Sequence, residues 1–146
     1  MIRSMRFVGF AGASLLLATC VSMGYAQSLL TDLKAEHDPG KRSELALSFA
    51  DTAFDNARDF YDKGEIDKGD AQLEYMTNAL NECVVSAETA HKAKFYKKAE
   101  QNVATLQRRI KSLLDDLEMQ KRGWAEYTDR KLDEIHDKLL AGAMRK

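Results

Sequence analysis

The sequence predicts an all-α fold: an antiparallel bundle of about four helices preceded by a signal peptide. Three observations lead there. Apolar residues recur at steps of three and four along most of the chain. One proline and eight glycines among 146 residues are too few turn formers for a strand-dense sandwich. A chain of this length, 45% hydrophobic and 31% charged, suits one globular domain rather than two. The formal net charge of −1 gives no whole-chain reason to bind nucleic acid.

Residues 1–26 stand apart from the rest. Arg3 and Arg6 make a short positive start, and an uncharged, mostly apolar run follows from Phe7 to Ala26. Gly24-Tyr25-Ala26 before Gln27 fits a small-x-small cleavage site, so the stretch reads as a secretory signal peptide cleaved after Ala26. Its strongly apolar part, Phe7 to Val21, falls short of the roughly 20 residues a spanning helix needs. The expected domains are therefore 1–26, the signal peptide, and 27–146, a helical bundle exported to the periplasm or beyond. An alternative is processing at Leu17-Ala18-Thr19-Cys20, which resembles a bacterial lipobox and would anchor the chain to a membrane through lipidated Cys20. Cleavage after Ala26 leaves Cys83 as the sole cysteine, so no internal disulfide supports the fold. Beside Leu80, Val84 and Ala87, Cys83 reads as a buried inert thiol, with an intermolecular disulfide as the alternative.

Each helix has its own signals. Residues 28–36 are expected to form a short first turn. Asp38-Pro39 then starts a helix, a capping carboxylate before a ring-locked first residue. Leu45, Phe49, Ala53, Phe54, Ala57, Phe60 and Tyr61 form its apolar stripe, and Lys63-Gly64 ends it, with Gly64 left-handed. A second helix, from about Asp67 to Thr89, carries Leu73, Met76, Leu80, Cys83, Val84 and Ala87. The short link makes the two an antiparallel hairpin. In the third helix, from about Lys94 to Lys121, Ala99, Val103, Leu106, Ile110, Leu113 and Leu117 form a heptad seam. That seam needs a covering helix, from the same bundle or from a second copy of the chain. Gly123 marks a break, after which Thr128 or Asp129 caps a last helix to about Leu140. Trp124 and Tyr127 are expected in the connection, plugging one end of the bundle.

In the first hairpin, Ala57, Phe60, Gly64, Gly69 and Leu73 fall at the small, aromatic, turn, crossing and large positions of a tetratricopeptide unit, and the hairpin resembles one such unit. Ala53, Asn56 and Met76 depart from that pattern, and no second unit follows at the 34-residue period. Asp38-Pro39-x-Lys41-Arg42, the Ala-rich stretch Ala50 to Ala57, and Glu134-Ile135-His136-Asp137 give the chain a likeness to small exported bacterial helical proteins with no assigned activity. That likeness implies an all-α fold and export, and supplies no site.

The motifs of chemistry are sparse. No Cys-x-x-Cys-His is present for covalent haem, and the single Asp133-x-x-His136 stands where di-iron bundles use Glu-x-x-His twice. Non-covalent haem between Met76 and His136 is the nearest approach to a cofactor site, and no cofactor is expected. Gly-x-Ser-x-Gly and glycine-rich phosphate loops are missing, and Cys83 has no basic neighbour to activate it. The sequence thus points away from an enzyme.

Charge is segregated. Residues 44–82 carry ten acids against three bases. Residues 91–111 carry Lys92, Lys94, Lys97, Lys98, Arg108, Arg109 and Lys111 against Glu100 alone. Either the two surfaces neutralise each other across the bundle, or the basic set forms a patch for an anionic partner, with Phe95 and Tyr96 beside it. The expected function is an exported, non-enzymatic helical interaction or scaffold protein of the periplasm or cell envelope. Its partner is a protein or an anionic envelope component, not nucleic acid. The alternative is a small helical carrier for a cofactor, metal or lipid.

Overall fold

The computed structural model describes residues 21–145, and side chains from residue 28 onward. Cys20 and most of the expected signal peptide lie outside the described residues. Among the described residues there are five α-helices: α1 Val21–Ala35, α2 Pro39–Asp62, α3 Ile66–Ala90, α4 Ala93–Asp116 and α5 Gly123–Met144, with a 3-10 turn at Met119–Lys121. No strand occurs among the described residues, and none of the described helices is long and apolar enough to cross a membrane.

The helix count exceeds the expected four because the stretch read as a short turn is part of α1, which runs through the Ala26–Gln27 junction. Leu33 of α1 is buried and Leu30 packs against the core. Arg42 fixes the corner behind it, donating from Nε to Ser86 and from Nη1 to the Glu36 carbonyl.

α2 starts as its sequence predicts. Asp38 accepts the Gly40 N–H at 2.9 Å, and Pro39 is the first helical residue. It ends at the turn after Lys63, where Gly64 takes φ +75°, a conformation that costs glycine no Cβ clash. The buried stripe is rotated from the expected one: Ala46 and Leu47 enter the core, whereas Leu45 is 50% exposed. The alanines set this rotation. Ala46, Ala50, Ala53 and Ala57 are fully or almost fully buried, letting the α3 backbone come close. At the crossing, a Cβ on Gly69 would sit 2.9 Å from the Tyr61 ring. Tyr61, rather than the half-buried Phe60, is the aromatic that closes the hairpin, and its hydroxyl donates to Asp70.

α3 ends in His91, whose φ of 50° is left-handed. α4 ends earlier than expected, because Leu117 is extended rather than helical. Its carbonyl accepts from Arg122 Nε at 2.8 Å, which ties the corner and lets α5 begin at Gly123 rather than at Thr128 or Asp129. Thr128 is therefore a buried mid-helix residue, not a cap. Trp124 and Tyr127 ride on the first turns of α5, each 41% exposed, and plug nothing.

α2 packs along α3, and α4 along α5. Each hairpin is antiparallel: Ser43 meets Cys83 while Arg42 meets Ser86, and Glu100 meets His136 while Gln107 meets Asp133. The hairpins then pair with their like helices side by side and parallel, α2 with α4 and α3 with α5. The heptad seam finds its cover inside the chain: Ala99, Val103, Leu106, Ile110 and Leu113 are buried with Leu132, Ile135 and Leu139 in one core.

Candidate functional site

Two surfaces follow from this packing, one along each seam between the hairpins. The α2–α4 seam gathers the segregated charges. Lys98 Nζ donates to Glu44 at 2.8 Å, Arg109 pairs with Asp51 and Asp55, and Arg58 reaches Asp116 at 3.1 Å. Asn102 adds a hydrogen bond to Asp51 at 3.1 Å. The Arg109 guanidinium also lies over the buried Phe54 ring, 4.3 Å from its centroid. The Glu44 carboxyl is held below the usual carboxylate range, first by its hydrogen bond from Lys98 and then by that ammonium's charge.

The seven basic residues expected as one patch are thereby divided. Lys98 and Arg109 belong to the seam. Lys97 and Arg108 sit on the outward face of α4, eleven residues and about 16 Å apart, and Arg108 donates to Thr105. Lys111 lies toward α5, where its charge acts on Asp129. Lys92 and Lys94 remain together at the start of α4. With Lys41, and with Asp38 and Glu44 from the start of α2, they line a hollow of about 510 Å³, in which the three lysines outnumber the two carboxylates. Phe95 forms part of its wall, with Lys94 Nζ 4.9 Å from the ring centroid. Tyr96, expected beside the patch, is buried instead.

The α3–α5 seam carries a groove of about 400 Å³. α3 contributes Asn78 and Asn81, one turn apart, and α5 contributes Trp124, Tyr127, Lys131 and Lys138. Trp124 and Tyr127 meet edge to face, with centroids 5.3 Å apart and planes at 84°. Lys131 sits over Tyr127 and pairs with Glu134 at 2.8 Å. This groove is absent from the sequence reading. A signal for it exists: 124, 127, 131, 134 and 138 step by three and four, a second stripe on α5 built from aromatic and charged residues rather than aliphatic ones.

The residues considered for chemistry are placed apart. Met76 is in the core, whereas His136 Nε2 is 2.9 Å from Glu100 Oε1 at the α4–α5 seam. Cys83 is 1% exposed, its Sγ 3.4 Å from Ser43 Oγ, and burial pushes its thiol pKa up. That burial removes the access an intermolecular disulfide requires. Among the described residues, no three metal-ligating side chains cluster. Comparison of the chain with family models, with curated proteins and with solved structures finds no match.

Proposed function

We propose that the protein is an exported, non-enzymatic helical interaction protein of the periplasm or cell envelope. It docks an anionic partner, an acidic protein or a charged envelope component, on the basic end of α4. Export is supported by the Arg-led apolar run and the small-x-small triplet before Gln27. Docking rests on what the internal pairing leaves over. Lys98 and Arg109 are taken up by α2 carboxylates, while Lys92, Lys94 and Lys97 stay exposed at one end of α4. Cations so placed steer an oppositely charged partner and set its orientation.

Cell fractionation with N-terminal sequencing tests the first half, with Gln27 expected as the new terminus of a protein released by outer-membrane disruption. A cytoplasmic chain retaining Met1 overturns it. For the second half, the chain carrying Lys92→Glu, Lys94→Glu and Lys97→Glu is compared with the parent in capturing envelope components. Salt-sensitive capture by the parent and its loss in the variant, at unchanged melting temperature, is expected. Equal capture by both eliminates this end as the dock.

A further inference from the structure

We propose that the α3–α5 groove is a binding site for a neutral oligosaccharide, an inference that goes beyond the docking role given to α4. Sugars present paired hydroxyls that both donate and accept, and ring faces made of C–H bonds. A site that recognises them supplies planar polar side chains with two hydrogen-bonding atoms each, and an accessible aromatic face.

The groove holds both. Asn78 and Asn81 are exposed on successive turns of α3, and neither amide is bonded within the described residues. An amide's oxygen and NH2 group match a hydroxyl pair in both roles. Trp124 supplies the platform, since Lys131 covers Tyr127 and the two rings stand perpendicular. The T-shaped contact with Tyr127 holds the indole in place, so little side-chain freedom is lost when a ligand arrives.

Charge and lining decide between ligand classes. Glu74 and Glu134 face Lys131 and Lys138 in the groove, a balanced set that does not select an ion. A lipid chain wants an aliphatic wall, and the one aliphatic lining residue, Ile135, is 3% exposed. An extended peptide wants pockets for alternate side chains, whereas this wall carries amides, a hydroxyl and charged groups around two aromatic rings.

The test uses the full chain with an N-acetylglucosamine trimer and, separately, maltotriose. Trp124 is the only tryptophan, so its fluorescence reports the groove directly. A saturable emission change with at least one trisaccharide is expected. By calorimetry, Trp124→Ala and Asn81→Ala should each weaken that binding about tenfold or more, with Asn81→Ala leaving the melting temperature unchanged and Trp124→Ala still melting cooperatively. No saturable change with either sugar overturns the proposal. So does binding that survives both substitutions, or a response to an uncharged tripeptide equal to that for the sugars. The Lys92→Glu, Lys94→Glu, Lys97→Glu variant should bind the sugar normally. Equal capture by parent and variant, with sugar binding intact, therefore removes the α4 dock alone, whereas lost capture in the variant with no saturable sugar binding by the parent removes the groove alone.

Discussion

Along the α2–α4 seam, charges answer each other: Lys98 with Glu44, Arg109 with Asp51 and Asp55, Arg58 with Asp116. Along the α3–α5 seam, two amides are unbonded among the described residues and two aromatic rings stand partly in water. Both seams join the same pair of hairpins over the same core. The difference teaches that sequence-wide charge segregation can be answered within the fold, while a less conspicuous face keeps polar groups without protein partners. Polar groups already bonded internally have little to offer a partner, because a new contact must first break an old one.

The largest effect tests the core that both seams share. Leu106 is fully buried, so Leu106→Asp places an unpaired carboxylate in an apolar interior. A loss of roughly 4 kcal/mol or more is expected, seen by circular dichroism as the disappearance of cooperative melting. An unchanged transition would mean the hairpins do not pack through α4. Next, a Cβ at Gly142 would run into the Tyr96 ring. Gly142→Ala should cost about 1–3 kcal/mol through overpacking, despite alanine's better helix propensity, and thermal melts of the single variant measure it.

How much of this was legible follows from what kind of signal each feature leaves. The Asp38-Pro39 start, the Gly64 turn and the α4 heptads are local or periodic, so residue spacing carries them. The Leu45 exposure is not local: which of Leu45, Ala46 and Leu47 faces inward depends on how closely α3 approaches, and that is set by alanines and by Gly69 beneath Tyr61. The start of α5 is not legible locally, because Thr128 looks like a cap in sequence, whereas the α4 end is fixed by a side chain from the next segment, Arg122. The basic patch was legible as composition but not as a surface. Spacing alone does not say that Lys98 and Arg109 turn toward α2. The α3–α5 groove needed both helices at once, because Asn78 and Asn81 signify nothing until Trp124 is beside them.

A direct way to sharpen the contrast is Arg109→Ala. The guanidinium is 33% exposed and its carboxylate partners more so. The two pairs therefore contribute little, and the contact over Phe54 adds about 0.5–1 kcal/mol. A total loss of about 1–2 kcal/mol is expected, the ionic share of it shrinking in high salt. Chemical denaturation at low and high salt separates the shares. A neutral outcome would make the α2–α4 ladder decorative, and its side chains as free for partners as those of the groove.

The smallest effect lies at the third contact between hairpin helices, α4 against α5, and it has the opposite sign. Asp129 is half-buried, one of its carboxylate oxygens has no partner among the described residues, and burial raises its pKa, with Lys111 opposing that shift. A carboxyl whose pKa is higher folded than unfolded favours folding when protonated. That contribution is present below the unfolded value and is lost as pH rises through the folded one. Asp129→Asn keeps the shape and removes the charge. It should therefore stabilise the protein at neutral pH, by no more than about 1 kcal/mol given the partial exposure. The gain should fade as pH drops through the carboxylate range, where the parent becomes neutral as well. Melting temperatures of both proteins between acidic and neutral pH check this. A variant less stable than the parent at neutral pH would show that the Lys111 attraction outweighs the burial, and that the α4–α5 contact is ionic in the manner of the α2–α4 ladder.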